Sequence, residues 1–248
     1  MTKKFTFLLL IITFVSVGFL AISKNELAED ERFVTYLVNP KTQNVAFFWK
    51  DENGERFKNA KNLISWLDSK NKKLLFSTNG GMYKKDHSPQ GLYIENQIVK
   101  TNIDTSNGYG NFYLKPNGVF YISTNNIPII CKTEDFANNG QIEYATQSGP
   151  MLVIDGEIHA AFKENSTNLN IRNGVGILPK NQIVFVISKN EINFYDFAAY
   201  FKKLGCINAL YLDGFVSRTY LPEKKLNQID GDFGVIIGVT ENKKRNTN

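Results

Sequence analysis

A series of short runs of β-branched and aromatic residues, separated by turn residues, constrains the fold of this chain more than any other feature. β-Branched and aromatic side chains favour the pleated surface of a strand, whereas Gly, Pro, Asn and Asp favour the turns between strands. The runs therefore predict strands at Phe33–Val38, Val45–Trp49, Leu74–Thr78, Gly91–Ile94, Phe112–Leu114, Val119–Ile122, Met151–Ile154, Val175–Leu178, Ile183–Ile187, Ala209–Leu212 and Phe233–Val239.

Three turn sequences predict β-hairpins. They are Pro116-Asn117-Gly118, Asp155-Gly156 and Pro179-Lys180-Asn181, and each lies between two of the runs. Gly and Asn readily adopt the positive φ angles that tight hairpin turns require. Because a hairpin joins antiparallel neighbours, these turns favour antiparallel pairing over a series of βαβ units.

Two segments have the periodicity of a helix. The first is Ala60–Ser69; the second runs from Phe194 to Leu204, with Asn193 as its N-cap and Gly205 as the residue that ends it. We interpret the aromatic stripe of the second helix as core packing. Few helices among many hairpin strands predict an α+β domain with a mixed, mostly antiparallel β-sheet.

The N-terminal residues predict export. Lys3 and Lys4 precede Phe5–Ile22, which is 18 residues without a charge. A basic segment followed by an apolar one is typical of a signal peptide, and 18 apolar residues also suffice for an uncleaved anchor. We therefore expect residues 1–23 to be a signal peptide or an N-terminal anchor. If this segment is not cleaved, we expect it to be the only part of the chain that contacts the membrane. Residues 24–248 would form a periplasmic or extracellular domain.

The formal charge of +5 is a weak argument for binding nucleic acid. The densest basic cluster, Lys243-Lys244-Arg245, lies in a polar tail, where a solvated terminus is the simpler interpretation. We therefore expect no nucleic-acid partner.

Cys131 and Cys206 are the two cysteines, and they leave two alternatives open. In an oxidising compartment they would form a disulfide, or they would remain buried thiols. A structural zinc site is disfavoured, because only His87 and His159 could add ligands. His159 is expected on an exposed strand that follows a hairpin turn.

Polar, glycine-containing stretches follow several of the predicted strands, and such loops commonly carry sites. Gly80 and Gly81 allow backbone N–H groups to approach an anion, although a tight turn would also explain them. Gln147 and Ser148 suit the binding of hydroxyl groups or a simple β-turn. Arg172 would hold a phosphate or carboxylate, or form a surface salt bridge.

The stretch after the second helix carries a carboxylate at the end of a strand. The run Ala209–Leu212 leads into Asp213, and Ser217 and Arg218 follow shortly after. A carboxylate in this position is either functional or a turn residue that bonds its own backbone. An aspartyl-phosphate site is disfavoured, since Tyr211 takes the place of its second aspartate.

Together these motifs resemble those of the phosphodiester glycosidase family, and they occur in the same order as in that family. The sequence resembles the compact bacterial branch of the family more than the lysosomal branch. The matching motifs are Thr78-Asn79-Gly80-Gly81-Met82-Tyr83, Pro89-Gln90-Gly91-Leu92, Gln147-Ser148-Gly149-Pro150-Met151-Leu152, Arg172 with Val175-Gly176, and Ala209-Leu210-Tyr211-Leu212-Asp213-Gly214 with Ser217-Arg218. The lysosomal branch has Asp-Gly-Gly where this chain has Asp213-Gly214-Phe215.

The resemblance implies hydrolysis of the bond between the anomeric carbon of a sugar and a phosphodiester oxygen. It implies Asp213 as nucleophile or base, with Asp86 in reserve, and positive charge at the phosphate from Arg172, Arg218 and His87. Substrate-binding residues would be Asn79, Gly80, Gly81, Asp86, Gln147, Ser148, Gly214 and Ser217. Tyr83 and Tyr211 would stack on the sugar ring, although core packing also explains Tyr211.

The expected substrate is a sugar phosphodiester or an envelope polysaccharide. No cofactor is expected to be required, although a divalent cation is compatible with the chemistry and metal ligands are not identified. Two other functions stay open. One is a non-catalytic carbohydrate-binding or envelope-assembly protein on the same fold. The other is hydrolysis at phosphorus, which would call for a metal and more carboxylate ligands.

Overall fold

The computed structural model describes residues 30–213 and 216–243. Its helices are α1 (Ala60–Ser69) and α2 (Phe194–Lys203). Its strands are β1 (Phe33–Val38), β2 (Asn44–Phe48), β3 (Lys72–Asn79), β4 (Tyr93–Glu95), β5 (Ile98–Thr101), β6 (Gly118–Ser123), β7 (Pro128–Lys132), β8 (Ile142–Ser148), β9 (Met151–Ile154), β10 (Glu157–Ile158), β11 (Asn173–Leu178), β12 (Gln182–Ser188), β13 (Asn208–Tyr211), β14 (Thr219–Leu221), β15 (Leu226–Asn227) and β16 (Ile236–Asn242).

The strands form three antiparallel sheets. The first has the order β1-β12-β11-β13-β9-β10, the second β15-β14-β3-β16-β2, and the third β5-β4-β8-β6-β7. Every strand pair among the described residues is antiparallel. The α+β prediction with a mostly antiparallel sheet and few helices is therefore confirmed.

One aromatic core joins the three sheets. Phe47 and Phe76 come from the second sheet, Phe120 from the third and Phe185 from the first, and all four are buried. Their rings pack in sequence, with centroid distances of 5.6 Å for Phe47–Phe120, 6.2 Å for Phe120–Phe185 and 4.9 Å for Phe76–Phe185. Aromatic pairs at such distances contribute beyond their buried area. The sheets are thereby fixed relative to one another.

Both predicted helices are confirmed. The Asn59 side chain caps α1 by accepting the Asn62 N–H at 3.0 Å. Asn193 caps α2 in the same way through the Asp196 N–H at 2.8 Å. The helix ends one residue before its predicted end, and Gly205 follows with a φ of +86°. The aromatic stripe of α2 is buried against the first sheet, as the core-packing interpretation requires.

Two of the three hairpin predictions are confirmed. Asp155-Gly156 joins β9 to β10 and Lys180-Asn181 joins β11 to β12, and all four residues have positive φ. The prediction at Pro116-Asn117-Gly118 is wrong, because the run Phe112–Leu114 is not a strand. A short 3₁₀ turn forms there, and the Asn117 amide donates to the Phe112 carbonyl at 2.9 Å.

Cys131 and Cys206 are free thiols in the structure; Cys206 is buried, as the thiol alternative held, and Cys131 is half-buried. Burial raises the pKa of Cys131 to about 11 and that of Cys206 to about 12. Both thiols are therefore protonated and unreactive near neutral pH.

The predicted signal peptide or anchor, residues 1–23, lies outside the described residues. Neither α1 nor α2 has the length and apolar character that crossing a membrane requires.

His159 is buried, with 4% of its surface exposed, and the prediction of an exposed strand position is wrong for this residue. Its Nδ1 atom accepts the Ala161 N–H at 3.1 Å, so Nε2 carries the proton and donates to the Lys115 carbonyl at 3.2 Å. Burial lowers the pKa of His159 below its ordinary value and outweighs the bond to the Lys115 carbonyl, which acts to raise it. A protonated ring would lose the bond at Nδ1.

We expect His159 to make stability depend on pH. As the pH falls below about 6.5, the unfolded ring takes up a proton that the folded ring does not bind. Unfolding is then favoured by up to about 1.4 kcal/mol per pH unit until the folded ring also titrates. Urea unfolding between pH 5 and 8 should show this slope in the wild type and lose it in His159→Gln. His87→Gln is the matched control, and an unchanged slope in His159→Gln would contradict the assignment.

Candidate functional site

Polar residues from all three sheets meet where several strands begin or end. Asn79 is the last residue of β3, Asn173 is the first of β11, and Asp213 follows β13 by two residues. Ser148 ends β8 in the third sheet, and Ser217 precedes β14. Four of these side chains are buried, and Asp213 is half-buried. We call these five residues the strand-end cluster.

Asn173 connects the strand-end cluster. Its amide nitrogen donates to Thr78 Oγ1 at 2.8 Å and to the Asn79 carbonyl at 3.1 Å. Its amide oxygen accepts the Asp213 backbone N–H at 3.2 Å and lies 3.2 Å from the Ser217 hydroxyl oxygen. A buried amide with partners on both atoms holds its neighbours in one arrangement. Asn173 therefore fixes the end of β3 to the segment that carries Asp213.

The backbone around Asp213 is fixed from three directions. The Ser217 hydroxyl donates to the Asp213 carbonyl at 2.6 Å, and the Asn79 amide reaches the same oxygen at 3.4 Å. The Ser148 hydroxyl donates to the Leu212 carbonyl at 2.7 Å. The predicted binding residues Asn79, Ser148 and Ser217 therefore support the position of the predicted catalytic carboxylate.

Tyr83 lies within electrostatic range of Asp213. Burial is the main cause that raises the pKa of Tyr83, and the charges of Asp213 and Asp232 raise it further. The His87 ring stacks on Tyr83 with a centroid distance of 5.0 Å, and His87 Nε2 lies 3.3 Å from Asp232. Asp232 also pairs with Arg56 at 2.9 Å. At neutral pH the Tyr83 hydroxyl is therefore protonated.

Arg218 contacts the strand-end cluster through its backbone. Its N–H donates to Asn79 Oδ1 at 3.1 Å, while its guanidinium forms an ion pair with Asp230 at 3.1 Å. The Arg218 side chain is 39% exposed. This arginine is therefore a solvent-accessible cation near Asp213, as the predicted phosphate contact requires.

Arg172 is placed differently from Arg218, because it is fully buried. Its Nε donates to the Ile192 carbonyl at 2.7 Å, and one terminal nitrogen donates to the Asn168 carbonyl at 2.8 Å. The other terminal nitrogen lies 3.3 Å from the Tyr211 hydroxyl, and the guanidinium stacks 3.6 Å from the Phe194 ring centroid. Burial lowers its pKa. The guanidinium that the sequence predicted to contact the phosphate therefore donates its hydrogen bonds to groups of the protein itself.

Gln147 also uses its side chain on the protein itself. Its amide oxygen accepts the N–H groups of Leu92 at 3.0 Å and Asp104 at 2.9 Å. Its amide nitrogen donates to the Asp104 carbonyl at 2.6 Å and to Thr133 Oγ1 at 3.2 Å. With four partners already present, a sugar hydroxyl would have to displace one of them. The structure places Gln147 away from the strand-end cluster.

Gly80 and Gly81 are required for close packing. The Gly80 N–H donates to the Val235 carbonyl at 2.8 Å, and its own carbonyl accepts the Thr146 hydroxyl at 2.7 Å. Gly81 has a φ of +133°, and a Cβ there would lie 2.7 Å from the Thr146 hydroxyl. The sequence pattern suggested that the Gly80 N–H could donate to an anion, but this N–H is already bonded within the protein.

The remaining predicted residues are less central. Asp86 is exposed and accepts the Ser88 N–H and hydroxyl at 3.0 and 2.7 Å, which lower its pKa. Tyr211 is buried in the core, as the core-packing interpretation of this residue predicted. Gly214 lies outside the described residues.

Within 30–213 and 216–243, no group of three or more His, Cys, Asp or Glu residues is arranged to hold a metal.

Sequence reasoning missed the role of Asn173 and the acidic partners Asp230 and Asp232. Asn173 directly follows Arg172, but an asparagine beside glycine is also typical of an ordinary loop. The two aspartates gave no local signal, because only folding brings them to Arg218 and His87.

The fold is an α+β domain of a type seen in a solved catalytic domain. It is similar to the catalytic domain of zebrafish N-acetylglucosamine-1-phosphodiester α-N-acetylglucosaminidase, auto-inhibited by its pro-peptide, with a TM-score of 0.58 and 12% identity over 86% of this chain and 84% of that one. A hypothetical protein from Synechocystis has a TM-score of 0.54 and 14% identity, with coverage of 84% and 59%.

Sequence comparison identifies the family. Residues 72–241 match the phosphodiester glycosidase family. The uncharacterized protein YigE of Escherichia coli K12 is 39% identical over 187 residues, which is 75% of this chain and 73% of YigE. The chain belongs to the phosphodiester glycosidase family, so the resemblance in the motifs is confirmed.

Proposed function

We propose that the chain is an exported hydrolase that cleaves the glycosidic bond of a sugar 1-phosphodiester, or of a related envelope glycoconjugate. The observation that carries the proposal is the placement of Asp213. Its backbone is fixed by Asn79, Asn173 and Ser217, and its charge acts on Tyr83. A carboxylate on a backbone that three side chains hold, within electrostatic range of a protonated hydroxyl, is suited to reaction at an anomeric carbon.

In the proposed reaction Asp213 acts at the anomeric carbon, either as the nucleophile or as the base that removes a proton from water. The bond between this carbon and the phosphodiester oxygen breaks, and water supplies the new hydroxyl of the sugar. The departing phosphomonoester has a second pKa of about 6, so it needs little protonation at neutral pH. Positive charge near its oxygens stabilises the transition state instead.

Arg218 and His87 are the proposed sources of that positive charge. Arg218 is partly exposed and lies at the strand-end cluster, and His87 stacks on Tyr83. Each is paired with an aspartate, which fixes its orientation and still leaves N–H groups available to a phosphate. Arg172 is proposed to support the site from the core, since its guanidinium is buried.

The proposal also covers where the protein acts and whether the reaction requires a cofactor. The basic and apolar segment at residues 1–23 would direct the domain to the periplasm or the cell exterior. The reaction as written needs no cofactor, and attack at phosphorus with a metal is the competing chemistry. A protein that only binds carbohydrate on this fold is the other alternative.

The position of bond cleavage tests the proposal. We expect the full chain, purified in a mild detergent, to hydrolyse a member of a panel of sugar 1-phosphodiesters in heavy-oxygen water. Mass spectrometry should find the label in the sugar, and a chelator should leave the rate unchanged. Label in the phosphate, together with loss of the rate in chelator, would contradict glycosidic cleavage. Binding without any product over the panel would favour the carbohydrate-binding alternative.

A further inference from the structure

A cavity of about 380 Å³ lies on the third sheet, away from the strand-end cluster. A pocket of this size holds a small ligand such as a monosaccharide derivative. Its lining residues come from the segment before β6 and from the end of β7 onward. They are Thr105, Lys115, Pro116, Asn117, Lys132, Thr133 and Glu134.

The cavity is separated from Asp213 by β8. Gln147 bonds Thr133 in the cavity wall, whereas the next residue, Ser148, bonds the Leu212 carbonyl beside Asp213. Successive side chains of a strand point to opposite faces of the sheet. The cavity and the strand-end cluster therefore lie on opposite faces of the same strand, and the cavity is a distinct site.

Three side chains of the cavity wall keep hydrogen-bond donors that their bonds within the protein do not use. Thr133 Oγ1 accepts from Gln147, so its own O–H remains to donate. The Lys115 ammonium gives one N–H to the Thr105 carbonyl at 3.1 Å and keeps two. The Asn117 amide gives one N–H to the Phe112 carbonyl and keeps the other.

The charges of the wall also favour an anion. Lys115 and Lys132 line the cavity together with one carboxylate, that of Glu134. Within the described part of the chain, neither lysine forms an ion pair. Asn117 and Thr133 are nearly fully buried, so the back of the cavity is rigid and already shaped. A donor-rich, cationic pocket is complementary to a group with several acceptor oxygens.

We propose that this cavity is a second ligand site, which binds the phosphate or carboxylate group of a sugar-sized molecule. The oxyanion lies between Lys115 and Lys132 and accepts from the Thr133 hydroxyl. Hydroxyl groups of the same ligand meet Asn117 and Thr105. Binding at this site does not require the proposed hydrolysis, because Asp213 takes no part in it.

Three probes test the site by titration calorimetry on the full chain in mild detergent. They are inorganic phosphate, glucuronate and glucose, the last being the uncharged analogue of glucuronate. We expect phosphate and glucuronate to bind and glucose to bind at least about tenfold more weakly, because it lacks the oxyanion. Acetate is the control for the carboxylate alone: if the sugar ring also contacts the cavity, glucuronate should bind more tightly than acetate.

Two substitutions of opposite sign locate the binding. Lys132→Gln should weaken glucuronate about tenfold, since it removes one charged donor, and Glu134→Gln should tighten it, since it removes the one carboxylate of the wall. Lys100→Gln is the matched control, because this exposed lysine of β5 is not part of the cavity. Asp213→Asn should leave the affinity unchanged. The proposal is overturned by absent binding, by equal affinity for glucose, or by affinities that neither cavity variant changes.

Discussion

Asp213→Asn should reduce kcat by at least about 100-fold while changing KM little. Removal of a general base or nucleophile costs at least this much, whereas the substrate contacts of the isosteric amide are nearly the same. The fold should be retained, because the hydrogen bonds that hold this position involve the backbone N–H and carbonyl of Asp213. Steady-state kinetics on the substrate found in the heavy-oxygen panel measures the effect.

Asp86→Asn is the matched control for this prediction. Asp86 is the reserve carboxylate, but it is exposed and its oxygen is used by Ser88. We expect its substitution to change kcat by less than about threefold, as for surface residues away from a site. If Asp86→Asn abolished turnover and Asp213→Asn did not, the roles of the two carboxylates would be reversed.

The sequence allowed prediction of those elements whose signal is local. Ala60–Ser69 was predicted with its observed bounds, because the helical period and the polar flanks lie within one stretch of chain. The strands Phe33–Val38 and Met151–Ile154 were likewise marked by runs of β-branched, aromatic and other apolar residues. In contrast, β5 and β14 escaped prediction, because they are short and interrupted by polar residues, so that pairing with neighbours defines them.

The structure brings together some of the residues predicted for the site, whereas the roles of the individual side chains stay predictions. Asp213, Asn79, Ser148 and Ser217 do come together at the strand ends, although they belong to three sheets. Gln147 and Gly80 belong to the same motifs, but their polar groups are used by the protein itself. A motif records which residue types are present, whereas hydrogen-bond partners depend on contacts across the fold.

Arg172 shows most clearly how the role of a motif residue depends on its contacts in the fold. Its substitution is expected to have a large effect on the stability of the protein. In Arg172→Lys the ammonium cannot reach the Ile192 and Asn168 carbonyls together, and the planar stack on Phe194 is lost. Hydrogen bonds made by a charged group contribute about 1.5–3 kcal/mol each, and at least one of the two would be lost. We therefore expect the free energy of unfolding to fall by roughly 3 kcal/mol, measured by urea denaturation.

Arg32→Lys is the matched control, because Arg32 forms an exposed ion pair with Asp30 at 2.8 Å. Its substitution should cost less than about 1 kcal/mol, the usual value for a surface pair. The two arginines differ in burial, so the comparison separates the core position of Arg172 from the general effect of replacing arginine by lysine.

Activity measurements then decide whether Arg172 supports the site or acts on the substrate. If it supports the site, Arg172→Lys should keep most of its turnover at a low temperature where it remains folded, and lose turnover as it unfolds. The loss of stability and the loss of activity should then follow the same temperature dependence. A variant that is as stable as the wild type but inactive would contradict this, because the guanidinium would then have to contact the departing phosphate directly.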